Sequence, residues 1–437
     1  MRVMIVAANQ EHKPDPVVPL GAAMVAAAAR NAGHDVCLFD ACFRGERVAS
    51  DLRQALRAFQ PRVVGLSIRN IDDVCWPAAQ SYLPYYKQLA AAIRESAPDA
   101  CLVLGGSAFT LMPSAFINAL GADHGIAGEG EQAFVNLLSR VDVDGTGSIS
   151  WAHPVLVPDV APALDLLDVD EYYARGGALN LQTRRGCAFK CTYCTYPVLE
   201  GRQPRPRTIE TVVDGLQYSL DRHGVRHFFV VDNTFNHPPD HAFAFCNELR
   251  IRRLDVSWTA YVSPARLAPG LLQQMADAGC SSVEFGTDAA SEVTLRALGK
   301  SFTQIDVIDA SRKATAAGLK FAHSLILGGP DETAESWRET VDVIESTNPS
   351  AVFVMLGVRL YPGTSLARRA EQEGLIRESE IGLDPVFYLG AEVADGLEQR
   401  ARELSASHPN WYFPGLEGNR WLRYWRRRRS HGVRGPL

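Results

Sequence analysis

Two successive blocks of alternating strand and helix patterns constrain the fold of this chain more than any other feature. In the first block, β-rich runs lie at 2–8, 35–41, 63–69, 100–106 and 124–128. In the second block, six further β-rich runs lie at 179–185, 227–232, 255–262, 282–288, 320–328 and 351–360. Strands separated by helices predict parallel sheets whose faces the helices cover. The sequence therefore predicts an α/β protein with two domains, each built on a parallel sheet.

The breaks in this alternation give the domain boundaries. Residues 1–141 are predicted to form a doubly wound, Rossmann-like domain, in which ligands bind beyond the carboxyl ends of the strands. A stretch rich in glycine and proline at 142–178 is predicted to be a linker. Six β/α units at 179–375 predict a partial (β/α)6 barrel with its active site at the carboxyl ends of the strands. Residues 376–437 are predicted to be an irregular extension with a basic tail, either solvated or in contact with an anionic partner.

Composition narrows the classes of function. The 437 residues carry a formal net charge of −6, so no global positive field points to a nucleic-acid partner. The longest apolar stretch, 17–29, is too short to span a membrane, and the N-terminus lacks the pattern of a signal peptide. We therefore expect a cytoplasmic protein, where thiols stay reduced. Its nine cysteines then require either packing or metal chemistry as an explanation.

One short loop after the first strand of the second block concentrates three of these cysteines. In GCAFKCTYCTYP, residues 186–197, Cys187, Cys191 and Cys194 have the spacing C-x3-C-x2-C. Thiolates bind iron–sulfur clusters, and three of them hold three corners of a [4Fe–4S] cluster and leave one iron open for a substrate or cofactor. A zinc site normally has a fourth ligand, whereas Cys246 and Cys280 each stand alone in the sequence. A set of unrelated core cysteines is the remaining alternative, and the polar residues of the loop disfavour it.

The cysteine loop resembles that of the radical S-adenosylmethionine (SAM) superfamily. The hallmark C-x3-C-x-aromatic-C is matched by Cys187, Cys191, Tyr193 and Cys194. The resemblance implies that the open iron binds SAM, which is cleaved to methionine and a 5′-deoxyadenosyl radical. Tyr193 is similar to the aromatic residue whose backbone lies near the adenine. The resemblance also implies an electron donor, such as flavodoxin or ferredoxin with its reductase.

Further segments of the second domain resemble this superfamily, and each follows a predicted strand. They imply three groups of cofactor-binding residues: Asp232, Asn233 and Thr234 for the amino group of SAM, Glu284 beside the cofactor, and Ser324 with Ile326 in the adenine-binding segment. Asp331 stands where that segment has its glutamate. Two alternatives remain open, because Glu284 can be a structural carboxylate and Asp232 a helix N-cap. Arg202, Arg205 and Arg207 beyond the cysteines can clamp a carboxylate, stabilise the cluster or belong to a solvated loop.

The first domain resembles the cobalamin-binding domains that precede some radical SAM domains. The segments that match are PLGAAMVAAAARNAGHDV (19–36), VVGLSIRNIDD (63–73), LVLGGSAF (102–109) and GIAGEGEQAF (125–134). The motif D-x-H-x-x-G, which supplies a lower cobalt ligand in many such domains, is absent. The resemblance therefore implies cobalamin without a histidine ligand from this loop.

Small residues at the ends of two strands are the candidates for contact with cobalamin. The dimethylbenzimidazole tail is predicted to lie near Ser67, Gly105, Gly106 and Ser107, because small residues admit a planar group beside the sheet. Arg69 would then emerge near the lower face of the corrin and leave that face without a ligand. Alternatively, Arg69 pairs with Asp72 or Asp73.

The two resemblances together predict a reaction on a small molecule of the natural-product type. The favoured reaction is cobalamin-dependent C-methylation. The alternative is a cobalamin-independent dehydration or epimerisation, for example of an amino sugar in an aminoglycoside intermediate. Neither reaction involves a nucleic acid or a membrane.

Overall fold

The N-terminal domain in the computed structural model is a six-stranded parallel sheet of order β2-β1-β3-β4-β5-β6. The structure describes residues 1–140, 148–152, 159–416 and 420–435. The strands are β1 Arg2–Ala7, β2 Asp35–Asp40, β3 Val63–Ser67, β4 Cys101–Gly105, β5 His124–Gly128 and β6 Ser148–Ala152. The helices are α1 Leu20–Asn31, α2 Val48–Phe59, α3 Leu83–Ser96, α4 Ser107–Leu111, α5 Pro113–Leu120 and α6 Gly130–Leu138. This order confirms the predicted doubly wound domain.

The strand order places a ligand site at one edge of this sheet. The chain runs from β1 to β2 on one side and from β3 onward on the other, so β1 and β3 flank a topological switch point. Ligands of such sheets bind beyond the carboxyl ends of the strands at that point. The alanine-rich face of α1 lies close to the sheet here, since Ala23, Ala26 and Ala27 are buried.

The C-terminal domain is a seven-stranded parallel sheet of order β17-β14-β13-β12-β11-β10-β7, which confirms the predicted partial barrel. The strands of this sheet are β7 Leu179–Leu181, β10 His227–Val230, β11 Ser257–Val262, β12 Cys280–Asp288, β13 Lys320–Leu327, β14 Ala351–Leu356 and β17 Trp411–Tyr412. Two short antiparallel pairs accompany it, β8 Arg184–Arg185 with β9 Arg205–Pro206 and β15 Val358–Arg359 with β16 Phe387–Tyr388. The helices are α7 Val169–Gly176, α8 Tyr196–Leu199, α9 Ile209–His223, α10 Pro239–Ile251, α11 Leu271–Asp277, α12 Glu292–Ala297, α13 Gln304–Ala316, α14 Ala334–Ser346, α15 Ser365–Gln372, α16 Ala391–Ala394, α17 Leu397–Ser407 and α18 Arg420–Ser430.

Two segments differ from the expectation of irregular structure. Within the predicted linker, β6 extends the first sheet and α7 packs beneath the second domain. The predicted boundary at 141 and 142 lies outside the described residues. Within the predicted irregular extension, β17 pairs with β14 as a seventh strand. Strands of two to five residues are too short for a periodic pattern, so sequence periodicity does not reveal them.

The barrel is hollow, because its strands turn small or partly exposed residues toward the inside. Along β13, Ala322 and Ser324 are half-buried, whereas Phe321 and Leu325 are buried under the helices. The interior of a closed barrel is normally filled by bulky branched side chains. Here the lumen remains open as part of a large cavity.

The C-terminal helix α18 closes the base of this lumen. Trp425 packs against the buried residues Ala351 and Tyr412, as do Ala322 and Phe353, which line the lumen. Arg429 pairs with Asp15 of the first domain at 3.1 Å and fixes the end of the helix. We name this arrangement the basal floor. No helix among the described residues is long and apolar enough to cross a membrane.

Candidate functional site

One cavity of about 1880 Å³ joins the carboxyl ends of both sheets. Its wall in the first domain includes Ser67, Gly105 and Ser107, and its wall in the second includes Glu284 and Ser324. A pocket for one drug-sized ligand measures roughly 300–1,000 Å³. The cavity therefore has room for several molecules, and it brings predicted residues from both domains to one place.

The cysteine loop runs between β8 and α8 beside this cavity. Cys187, Cys191 and Cys194 are free and partly exposed, and the amide of Cys194 donates to the carbonyl of Cys191 at 3.3 Å. The rest of the barrel holds the loop, since the amide of Thr192 donates to Leu298 O at 2.9 Å and Thr192 O accepts from the amide of Leu366. Three thiols thus lie on a fixed loop that faces the other cofactor-binding segments.

Burial is the main influence on the pKa of two of these thiols, Cys191 and Cys194. It raises the pKa of Cys194 to about 12, and it also raises the pKa of Cys191. A metal site needs the thiolate form, so binding of a metal must displace the protons. Among the described residues, no three Cys, His, Asp or Glu side chains are arranged to hold a single metal ion. Cys246 and Cys280, the remaining cysteines of this domain, lie in its hydrophobic core.

A buried cation next to the loop fits an anionic iron–sulfur cluster. The side chain of Arg184 is 2% exposed, and its Nε and Nη1 atoms have no hydrogen-bond partner among the described residues. A buried guanidinium without acceptors is costly. The sulfur atoms of a cluster held by Cys187, three residues further on, would supply such acceptors, so the donor set and its surroundings fit the group.

A second buried cation lies on the other side of the cysteine loop. Lys300 forms an ion pair with Asp288, and the hydroxyl of Tyr193 donates to the same carboxylate. Tyr193 therefore has its ring packed in the core and its hydroxyl fixed. Its predicted backbone contact with adenine stays a prediction. Sequence reasoning missed Asp288 and Lys300, whose only signal was their position near the ends of predicted elements.

The polar residues after β10 are engaged within the protein. The oxygens of Asp232 accept hydrogen bonds from the amide and hydroxyl of Thr183, at 2.7 and 2.5 Å. The side-chain amide Nδ2 of Asn233 donates to Oε2 of Glu200 at 2.8 Å, and the hydroxyl of Thr234 donates to the backbone carbonyl of Asn233. Asp232 thereby supports the strand before the cysteines and caps no helix. The predicted contact of these residues with SAM stays a prediction.

Glu284 lies inside the lumen, in the middle of β12. Its Oε1 accepts a hydrogen bond of 2.5 Å from the hydroxyl of Ser324 on the neighbouring strand. Burial raises its pKa to about 7, although the hydrogen bond from Ser324 acts to lower it. Both residues line the cavity, as predicted for cofactor-binding residues, whereas Ile326 packs in the small hydrophobic cluster around Leu360.

Replacing Glu284 by glutamine is expected to change the pH dependence of stability. Because the folded protein holds a proton on Glu284 up to about pH 7 and the unfolded chain only up to its ordinary pKa of 4.5, stability falls as the pH rises between these values. The variant lacks this decline, so its melting temperature relative to the wild type should rise from pH 5 to pH 7 and stay constant above. The exposed Glu46→Gln is the control, and parallel curves for wild type and E284Q would contradict the assignment.

The carboxylate in the adenine-binding segment is displaced by one residue from the expected position. Asp331 is exposed and pairs with Arg369, with 3.0 Å between Oδ2 and Nη1. Glu332 is 1% exposed, and its Oε2 accepts a hydrogen bond of 2.5 Å from the amide of Gly328. Asp331 has a φ of 54°, so the chain turns there and directs the next side chain inward. Glu332, and not Asp331, is therefore the buried carboxylate of this segment.

A slot between the first sheet and its helices fits the planar tail of cobalamin. The slot is part of the large cavity, and its walls include Ile5, Val25, Gly65, Val103 and Phe134. These side chains are apolar or absent, so a flat aromatic group can enter beside the sheet.

The predicted residues after β3 and β4 surround the mouth of this slot. Ser67, Arg69, Gly105, Gly106 and Ser107 lie there together and all line the cavity. The hydroxyl of Ser107 donates to the carbonyl of Arg69 at 2.7 Å and ties the two turns. Asp72, an expected alternative partner of Arg69, instead pairs with Arg359 at 2.8 Å. The charge of Arg69 acts to lower the raised pKa of tyrosines in both domains, Tyr86 in the first and Tyr196 and Tyr261 in the second.

Buried ion pairs join the two domains next to the cysteine loop. Arg185 pairs with Glu131 at 2.5 Å, and Arg205 pairs with Glu129. Burial acts to raise the pKa of Glu131, but the charge of Arg185 holds it below its ordinary value. Of the three arginines considered after the cysteines, Arg205 thus serves the domain interface. Arg207 donates to the carbonyls of Gln182 and Val160.

Replacing Glu131 by glutamine is expected to lower the free energy of unfolding by about 3 kcal/mol, because it removes the nearer counter-charge of the buried Arg185 and leaves it with the more distant Glu129, at 3.6 Å. The measurement is the urea midpoint of unfolding. The control is Glu95→Gln, whose partner Arg53 lies at the surface and whose loss should change the free energy by about 1 kcal/mol or less. Equal losses in the two variants would show that the interface pair has no special role.

Comparison with known proteins agrees with this geometry. The family model of the radical SAM superfamily matches residues 181–344, and that of the B12 binding domain matches residues 11–138. An uncharacterized methyltransferase of Pyrococcus horikoshii is 26% identical over 89% of this chain and 87% of its own length. Tryptophan 2-C-methyltransferase of Streptomyces laurentii is 24% identical over 85% of this chain and 74% of its own length.

Solved structures show the same fold over the whole chain. The radical S-adenosylmethionine methyltransferase TsrM from Kitasatospora setae, with tryptophan substrate and a SAM analog bound, aligns with a TM-score of 0.86. The alignment covers 100% of this chain and 96% of that one, at 22% identity. The cobalamin-dependent enzyme OxsB aligns with a TM-score of 0.74 over 93% of this chain and 66% of its own.

Proposed function

Because this chain belongs to the radical SAM superfamily and carries a B12-binding domain ahead of its radical SAM domain, we propose that it is a cobalamin-dependent methyltransferase of a small organic molecule. One observation carries the proposal. The slot and the hollow barrel open into a single cavity, and Thr195 and Tyr196, which follow directly after Cys194, line it. A group bound in the slot and a substrate in the lumen can therefore meet without passing through solvent.

Each part of the cavity has its own task in this proposal. When bound, the [4Fe–4S] cluster supplies the electron that cleaves SAM to a 5′-deoxyadenosyl radical, and cobalamin carries the methyl group. Cys187, Cys191 and Cys194 hold the cluster on its fixed loop. Glu284 and Ser324 present polar atoms from the middle of two neighbouring strands. The walls of both domains line the space between them, so the bound groups and the substrate share one chamber.

The lining of the lumen favours a compact substrate with a planar apolar ring and a hydrogen-bonding group. One wall is aromatic, with 4.8 Å between the ring centroids of Phe229 and Tyr261. On the next two strands, Glu284 lies in register with Tyr261 and accepts a hydrogen bond from Ser324. Aromatic rings pack well at such separations. Tryptophan, the substrate named for two of the similar proteins, is the first candidate of this kind.

The test is anaerobic turnover of the reconstituted protein with methyl-deuterated SAM, cobalamin and a reductant such as dithionite or reduced flavodoxin. Tryptophan, other aromatic amino acids and amino sugars form the panel of substrates. We expect a product that carries the deuterated methyl group, and none when cobalamin is withheld. Dehydrated or epimerised product with 5′-deoxyadenosine, formed equally without cobalamin, would refute the proposal in favour of the alternative reaction.

Arg69 is expected to influence bound cobalamin, since it lies at the mouth of the slot and a cation cannot coordinate cobalt. Arg69→Ala should change the visible absorption spectrum of the bound corrinoid and lower turnover at least tenfold, about 1.4 kcal/mol. Arg44→Ala, on the outer side of the same domain, is the control. An unchanged spectrum together with unchanged turnover would remove Arg69 from the site.

A further inference from the structure

Arg184 is a buried cation whose donors are not used within the described protein. Its side chain is 2% exposed, yet Nε and Nη1 have no hydrogen-bond partner among the described residues. A guanidinium has five N–H donors in a planar fork, and burying it without acceptors costs free energy. Such an arrangement becomes more stable when an acceptor outside the polypeptide completes it.

The neighbouring carboxylate does not complete it. Asp232 Oδ2 lies 3.9 Å from Arg184 Nε, which is beyond hydrogen-bond distance. The oxygens of Asp232 already accept from Thr183 and from the backbone amide of Arg184. Asp232 therefore offsets part of the charge and leaves the donors of the fork open.

The position of the fork points to the cysteine loop. Arg184 precedes Cys187 by three residues, and the charge of this thiol acts on the guanidinium. The charge of Arg184 also acts on His237, whose ring centroid lies 5.2 Å from that of Phe189 within the loop. Arg184 thus lies under the Cys187 side of the loop. Lys300, the cation on the Cys191 and Cys194 side, is already neutralised by Asp288.

We propose that Arg184 is a positioning residue that donates hydrogen bonds to sulfur on the Cys187 side of the [4Fe–4S] cluster and makes the cluster easier to reduce. Reduction adds one electron from the external reductant and makes the cluster more negative by one charge. A fixed cation with N–H donors aimed at sulfur stabilises that reduced form more than the oxidised one. The inference rests on the cluster of the proposed function and is independent of methyl transfer.

The experiment is a redox titration of the reconstituted full chain, monitored by electron paramagnetic resonance, without SAM, cobalamin or substrate. Arg184→Gln is expected to lower the ratio of reduced to oxidised cluster about tenfold at a fixed potential, a shift of about 59 mV for a one-electron couple. Arg184→Lys, which keeps the charge, should recover most of the ratio. Arg207→Met is the matched control, because Arg207 is also buried but donates through Nη1 and Nη2 to two carbonyls, and its ratio should equal that of the wild type. A wild-type ratio in Arg184→Gln would overturn the proposal.

A second measurement needs no variant of Arg184 and stays decisive if such a variant fails to fold. In wild-type protein with ¹⁵N-labelled arginine, pulsed electron paramagnetic resonance of the reduced cluster should detect weak coupling to a guanidinium nitrogen. The same coupling should persist in Arg207→Met. Its absence from the wild type would overturn the proposal, while the methylation assay remains a separate test of the function.

Discussion

A variant with alanine at Cys187, Cys191 and Cys194 is expected to hold no [4Fe–4S] cluster and to cleave no SAM above the rate without enzyme. These thiols occupy one loop that the barrel fixes through Thr192, and the residues directly after it, Thr195 and Tyr196, line the shared cavity. Without them three corners of the cluster have no thiolate. The measurements are iron and sulfide content, the absorbance of the cluster near 400 nm and the yield of 5′-deoxyadenosine after anaerobic reconstitution.

The first domain offers a matched control of three thiols. Cys37, Cys75 and Cys101 are also free and partly exposed, but they lie away from the loop. Their simultaneous replacement by alanine should leave iron content and SAM cleavage at wild-type values. SAM cleavage that persists in the first triple variant would refute the radical mechanism as a whole.

Replacing Gly106 by alanine is expected to weaken cobalamin binding at least tenfold, about 1.4 kcal/mol, and to lower the melting temperature. Gly106 has a φ of 101°, and a Cβ there would lie 2.9 Å from the carbonyl carbon and the amide nitrogen of Ile68 and closer still to its oxygen. The turn after β4 must therefore move away from the chain after β3, and both turns line the mouth of the slot. Equilibrium dialysis with hydroxocobalamin measures the affinity.

Gly121→Ala separates this contact from simple backbone strain. Gly121 has a φ of 59° at the end of α5, but a Cβ there would meet nothing within 4 Å. Its replacement should cost about 1–2 kcal/mol of stability from the left-handed backbone alone and leave the affinity for cobalamin unchanged. Equal affinities in the two variants would show that the approach of Gly106 to Ile68 does not shape the slot.

The features that could be predicted from the sequence are local in the chain. The alternation of strands and helices gave both sheets, because the burial of each element repeats with its own period. The three cysteines lie within eight residues, so their spacing alone described the loop. Gly106, directly after β4, indicated the position of the slot, because the backbone of Ile68 approaches it too closely for a side chain.

The features that could not be predicted depend on which distant elements meet. Arg185 pairs with Glu131, 54 residues earlier, and Arg359 pairs with Asp72, 287 residues earlier. No period in the sequence encodes such partners. Which of Asp331 and Glu332 is buried depends on the positive φ of Asp331, which the sequence pattern does not show. The open donors of Arg184 become visible only when the partners of every neighbouring oxygen are known.

The basal floor allows the substrate chamber to change without a change in the predicted cofactor residues. Most of the predicted cofactor residues lie at the carboxyl ends of the strands, whereas Trp425 of α18 closes the opposite end of the lumen. Exchange of the last helix between relatives would therefore deepen or shorten the chamber and leave the cysteine loop and the slot untouched. Replacing α18 alone is thus a way to change the substrate while the predicted cofactor residues stay the same.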